Sequence, residues 1–263
     1  MSAQTPDEDD APETLEAQPL LSHLVELRQR LLRVIVVVLA LFLPLGLYAN
    51  ELFTLLAGPL LQHLPVETSM IATQVISPFL TPFKLALITA VFLAMPVALW
   101  QAWGFISPGL YQHEKRLAYP LLGLSIVLFY AGVAFAYYAV LPLVFGFVTS
   151  VVPEGVAMMT DIASYLDFVI TVFFAFGFAF EIPVVIILLV WSGLTTPAAL
   201  TAKRPYVIVG VFIVGMLLTP PDIISQTLLA VPTYLLYELG IVLARLLVPG
   251  YREVEAHRRE SGR

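Results

Sequence analysis

Cysteine is absent from this chain, so it forms no disulfide, offers no thiolate nucleophile and builds no cysteine metal site. That absence leaves the redox compartment undetermined. Charge is scarce as well: 12% of residues are charged, against about 25% in soluble domains. No basic stripe stands apart from the short loops, which argues against a nucleic-acid partner. A P-loop, an HExxH pair and a GxSxG elbow are all missing, and His23-Leu24-Val25-Glu26 has the wrong spacing for zinc. His23, His63, His113 and His257 are scattered. The expectation is a chain with no catalytic residue, no metal site and no cofactor, and therefore not an enzyme.

What is present is apolar. The apolar set makes up 59% of the residues, and several charge-free runs exceed the length that spans a bilayer. In lipid every backbone polar group must be satisfied within a helix or a closed barrel. Barrel strands alternate apolar and polar residues, whereas Val34–Leu43 and Val184–Val190 are apolar on every side. The fold class is therefore an all-α polytopic membrane protein. The formal net charge of -6 is concentrated at one end, with six acidic residues between Asp7 and Glu16. Residues 1–19 read as a disordered acidic leader rather than a cleavable signal peptide. Residues 20–248 form a membrane domain, and 249–263 a polar, basic tail.

Six spans are predicted, at about 31–49, 83–105, 118–141, 165–190, 205–219 and 223–247. Pro44 is expected to bend the first. The stretch 50–81 is too polar to span and suits short interfacial helices. Trp100 and Trp103 near the end of the second span fit an interfacial aromatic belt. The fifth span, some 15 residues, reaches only about 22 Å against a hydrocarbon core of about 30 Å. With six spans, every lysine and arginine except Lys84 falls on the side that holds both termini. That asymmetry predicts N-in/C-in topology in the cytoplasmic membrane. Five or seven spans would divide the basic set.

Polar residues inside such a chain need a reason. Glu181 lies about nine residues, roughly 14 Å, from the cytoplasmic end of the fourth span. A carboxylate at that depth is expensive and faces protein or a water-filled cavity. It serves as a tether between helices or as part of a polar path, and nearby Pro183 is expected to distort the helix. Glu238 in the sixth span has Tyr234 one turn earlier as a natural partner. Asp222 precedes Ile223 and suits the N-cap of the last helix. Before the first span, Ser22 is a candidate N-cap, and Glu26 and Arg30 form an i,i+4 pair. Glu114 stands beside Lys115 and Arg116 in the first cytoplasmic loop. Acidic residues add little to orientation, yet Glu26 and Glu114 share one membrane face. A partner presenting paired arginines would be held there by bidentate, charge-assisted bonds.

Several stretches together resemble the TatC family, the large multi-spanning subunit of the twin-arginine translocase. They are His23-Leu24-Val25-Glu26-Leu27-Arg28 with Arg30-Leu31, then Tyr111-Gln112-His113-Glu114-Lys115-Arg116. Phe135-Ala136-Tyr137 and Asp161-Ile162-Ala163-Ser164-Tyr165 follow. The most specific is Lys203-Arg204-Pro205-Tyr206 through Leu218-Thr219-Pro220-Pro221-Asp222. The likeness runs from Leu20 to about Leu247.

The resemblance implies a receptor for signal peptides with two adjacent arginines, which helps export folded proteins using the proton-motive force. Glu26, Arg28 and Glu114 fall on the family's recognition positions, with Lys115 and Arg116 in the same loop. Lys115 stands where arginine is also common, keeping charge but losing the planar fork. Pro59 matches a sensitive proline of the first periplasmic loop. Glu181 matches the polar residue within the fourth helix, and Asp222 the acidic residue between the last two. The small single-span subunits TatA and TatB are the implied partners, with self-association left open. The alternative is an ion-coupled secondary transporter or channel for a small solute, which interrupted helices around Glu181 and Pro183 would suit.

Overall fold

The computed structural model describes residues 13–61, 70–106, 115–153, 159–218 and 223–247. It is all-helical. In chain order these residues form α1 (Glu13–Leu47), α2 (Ala49–Leu61), α3 (Ser77–Ile106) and α4 (Lys115–Phe135). A π-helical turn, Ala136–Val140, joins α4 directly to α5 (Leu141–Ser150). Then come α6 (Ile162–Ala179), α7 (Ile182–Trp191), α8 (Pro197–Ala202), α9 (Arg204–Leu218) and α10 (Ile223–Leu247).

Among the described residues, five stretches are long and apolar enough to cross a membrane: Leu24–Leu47, Ser77–Phe105, Tyr119–Ser150, Ile162–Trp191 and Gln226–Leu247. The chain is thus a multi-pass membrane protein. The predicted fifth span is α9, a helix of 15 residues that falls short of a full crossing, as its sequence indicates. Short α2 lies in the stretch after the first long helix, where the sequence predicts short helices.

Four boundaries differ from the sequence-based expectation. Helix α1 begins at Glu13, inside the stretch read as a disordered leader, so Ser22 lies within the helix instead of capping it. Acidic residues at a helix N-terminus are favoured by its dipole, and Leu, Glu, Ala and Gln are good helix formers. Helix α3 starts at Ser77 rather than near 83. Pro78 there occupies the first turn, where its missing N–H has no intrahelical partner to lose.

The third span does not stop before Pro142 but continues to Ser150. The Leu141 N–H bonds to the Ala136 carbonyl, five residues back, which widens the turn just ahead of the proline ring. A wider turn relieves the clash that proline imposes on an ordinary α-turn. The fourth span is two helices, α6 and α7, separated at Phe180–Glu181. Pro183 lies in the first turn of α7 and has no N–H for the Ala179 carbonyl. The predicted distortion is therefore a break.

Packing follows small residues and aromatic rings. A Cβ on Gly132 of α4 would lie 2.4 Å from the Phe176 carbonyl oxygen, and one on Gly177 would lie 2.7 Å from the Phe129 ring. Glycine lets α4 and α6 approach at backbone distance, as membrane helices without a hydrophobic drive must. Around this crossing Phe92 sits 4.8 Å from Phe174 and 5.8 Å from Phe129, ring centre to ring centre. Farther along, α7 and α10 share a second cluster with Ile187, Tyr237 and Ile241 buried. Helix α1 is peripheral: it packs against α3 and leaves Leu31, Leu39 and Leu43 exposed.

Candidate functional site

One set of helix ends lies together: Arg30 of α1 reaches the last turn of α3, and Trp103 of α3, Leu121 of α4, Val190 of α7, Leu200 of α8 and Ala244 of α10 share one buried cluster, with Val207 of α9 packed against it. Glu26 and Arg30 lie one turn apart on α1. Glu26 Oε1 accepts from Arg30 Nη2 at 2.6 Å and from Nε at 3.0 Å. Arg30 Nη2 also donates to the Gly104 carbonyl at 2.9 Å, and Nη1 reaches the Gln101 carbonyl and side chain at 3.4 Å. A Cβ on residue 104 would lie 2.3 Å from Arg30 Nη1, so glycine makes room for the guanidinium. Arg30 thus clamps α1 to the last turn of α3 and fixes where Glu26 stands.

Both of Arg30's bonds to the carboxylate use Oε1; Oε2 has no donor among the described residues. The Glu26 side chain keeps 38% of its exposure, and Arg28 is exposed. Lys115 and Arg116 open α4 at this end. Glu114 lies outside the described residues.

Glu181 stands at the α6–α7 break, where its backbone N–H bonds to Phe178. The Ser125 hydroxyl of α4, itself fully buried, donates to Glu181 Oε2 at 2.6 Å. Oε1 is buried and finds no partner among the described residues. The residue is therefore a tether between α4 and the break, with one oxygen left over. Such a half-satisfied carboxylate in an apolar interior costs stability unless something else supplies a donor.

Glu238 is fully engaged. Tyr234 donates to Oε1 at 2.9 Å, the one-turn partnership expected from the sequence. Arg204 Nη2 donates to Oε2 at 2.5 Å, joining the start of α9 to α10. Arg245 reaches back to Thr201 at 3.0 Å, and Tyr237 to the Leu200 carbonyl at 2.8 Å.

At the opposite end, Asp161 caps α6. Its Oδ2 accepts from the Ser164 N–H at 3.0 Å, and its Oδ1 from the Thr73 N–H at 3.0 Å and hydroxyl at 2.9 Å. Backbone N–H donors, Thr73 first, hold this carboxyl down at about 2. Backbone bonds between Ile71 and both Thr160 and Ile162 complete the junction. Lys84 and Asp167 pair across α3 and α6 nearby. Pro59 sits in α2 near this end, and Asp222 lies outside the described residues.

The family profile of the Sec-independent protein translocase protein, TatC, matches residues 22–232. The chain belongs to the TatC family. The Sec-independent protein translocase protein TatC of Azotobacter chroococcum is 60% identical over 230 residues, covering 88% of this chain and 90% of that protein. The TatC protein of Escherichia coli K12 is 54% identical over 233 residues, covering 89% and 90%. The crystal structure of a twin-arginine translocase receptor, TatC, superposes with a TM-score of 0.75 at 39% identity, covering 85% of this chain and 98% of that one.

Within this TatC-family fold, three participants were not legible as a site. Ser125 is one hydroxyl in an apolar segment, with no motif around it. Arg30 reads only as Glu26's local partner; its reach to Gln101 and Gly104 depends on how α1 packs. Arg204 reads as an orientation charge and turns out to be Glu238's main partner.

Proposed function

We propose that this TatC-family chain is the signal-peptide receptor and core membrane subunit of the twin-arginine translocase, and not an enzyme. The observation that carries the reading is Glu26, held by Arg30 with one carboxylate oxygen unused among the described residues, at the bundle end where α4 begins beside Glu114. A signal peptide's paired arginines would dock on Glu26 and Glu114, one guanidinium completing the coordination of each carboxylate. Arg28 is exposed on the same helix as Glu26, and Lys115 and Arg116 follow Glu114 in the chain; a planar guanidinium can bridge a carboxylate bidentately where an ammonium cannot. The peptide's apolar stretch would then enter the bundle, where Glu181 Oε1 offers a polar foothold.

The topology belongs to the proposal: six spans with short α9 as the fifth, both termini cytoplasmic, one domain in the cytoplasmic (inner) membrane. The basic residues support that orientation, since Lys84 alone lies at the far end. TatA and TatB are the proposed partners, self-association included, with the proton-motive force as energy source. Pro59 and Asp222 would act on the periplasmic side, and Glu238 as the anchor of α9. The solute-transporter alternative loses its support, because the interrupted helix belongs to a fold shared with a translocase receptor.

A single cysteine can be introduced cleanly in a chain that has none. Placed at His113 and carrying a photoreactive label, it should form adducts with a peptide bearing two arginines. Adduct formation should collapse when both arginines become lysines. Equal labelling by the two peptides would overturn the arginine recognition.

A further inference from the structure

An open cavity of about 800 Å³ lies between α6–α7 and α9, with Leu229 and Thr233 of α10 at its base. Ile182, Val207, Gly210, Val211 and Val214 line it, and no charged group does. Its two hydroxyls are already spent within their own helices: Thr171 donates to the Asp167 carbonyl and Thr233 to the Leu229 carbonyl. Both hydroxyl protons are thus committed and the walls carry no charge for an ion, so they suit an alkyl chain.

The rim is different. Arg204 precedes Val207, Val211 and Val214 by three, seven and ten residues, so all four share one face of α9. Arg204 gives Nη2 to Glu238, while its Nε has no acceptor among the described residues. Its side chain remains 42% exposed. Lys203, next to it in the chain, and Arg245 are exposed, and Arg245 bonds Thr201, two residues before Lys203. Three basic residues thus outnumber one carboxylate around the start of α9, one turn before Val207, the first groove-lining residue of that helix. The adjoining helix is also too short to cross the full hydrocarbon core, which draws headgroups inward along it.

The geometry points to a binding site for one anionic phospholipid, its phosphate at Lys203, Arg204 and Arg245 and one acyl chain in the groove along α9. An apolar helix in the same groove would bring those cations no anion beyond Glu238. A zwitterionic lipid would satisfy the groove but carry no net charge to the rim.

Native mass spectrometry of the full-length protein, purified in micelles doped equally with phosphatidylglycerol and phosphatidylethanolamine, tests this. The chain should retain phosphatidylglycerol in preference, by roughly five-fold per basic side chain that contributes. Gly210→Leu fills the groove, and a Cβ at that position meets nothing within 4 Å, so the fold tolerates it. This variant should lose the retained lipid while its unfolding temperature holds. Lys203→Gln with Arg245→Gln should keep a lipid but cut the headgroup preference to the roughly five-fold that Arg204 alone supplies, leaving the Arg204–Glu238 pair intact. Equal retention of the two lipids by the parent protein, or unchanged retention by Gly210→Leu, would overturn the assignment. So would efficient disulfide dimers of Gly210→Cys in a lipid bilayer, which would place a second copy in the groove.

Discussion

The Ser125 hydroxyl donates a 2.6 Å hydrogen bond to Glu181 Oε2, tying the middle of α4 to the break between α6 and α7. It is the one donor Glu181 has among the described residues, because Oε1 is buried without a partner. Ser125→Ala should therefore destabilise the protein by about 1–3 kcal/mol, the cost of stranding a buried polar group. Ser125→Thr should recover most of the loss. Combining Ser125→Ala with Glu181→Leu should be milder than Ser125→Ala alone, since removing both polar partners leaves nothing unsatisfied. Denaturant unfolding in detergent reads all three.

The α4–α6 crossing should tolerate no side chain at Gly132. A Cβ there meets a backbone oxygen at 2.4 Å, which cannot rotate away as a side chain can. Gly132→Val should cost about 1–3 kcal/mol or more through overpacking and lower the yield of monodisperse protein. Gly123→Ala, on the same helix with open space around its Cβ, should be neutral or slightly stabilising. Size-exclusion profiles of the two variants, expressed side by side, distinguish them.

Asp161 makes stability depend on acid. Its carboxyl is lowered from 3.8 to about 2, first by the Thr73 N–H and then by the Ser164 N–H. The folded state thus holds the proton less tightly than the unfolded chain. Its contribution is complete above about pH 4 and is lost as the pH falls toward 2. Other carboxylates titrate in the same window, so the readout is a difference. The gap in unfolding temperature between the parent and Asp161→Asn should shrink from pH 5 to pH 2. A constant gap would show that the cap does not titrate as described.

Much of the fold is written in the sequence because lipid allows few solutions. Apolar length locates the long spans, the short fifth segment is visible as such, and Pro183 announces the break beside Glu181. The one-turn pair of Tyr234 and Glu238 is local and therefore readable. Pro142 misleads, because a π-turn ahead of it absorbs the ring and lets the helix run on to Ser150. Ser22 misleads too, since good helix formers extend α1 back to Glu13. The partners of Glu181, Glu238 and Arg30 across helices were not readable. Ser125 and Glu181 lie 56 residues apart, and periodicity says nothing about which faces of two apolar helices meet.

The central claim is that the carboxylates at Glu26 and Glu114 read paired arginines. Equilibrium binding of a fluorescent signal peptide, in twin-arginine and twin-lysine forms, measures it on the parent protein and on Glu26→Gln/Glu114→Gln. Each charge-assisted bond is worth about 1.5–3 kcal/mol, so the arginine form should bind the parent protein at least about tenfold more tightly. In the double variant that preference should disappear, with both peptides reduced to the same weak affinity. A preference for arginine that survives the loss of both carboxylates would contradict the account.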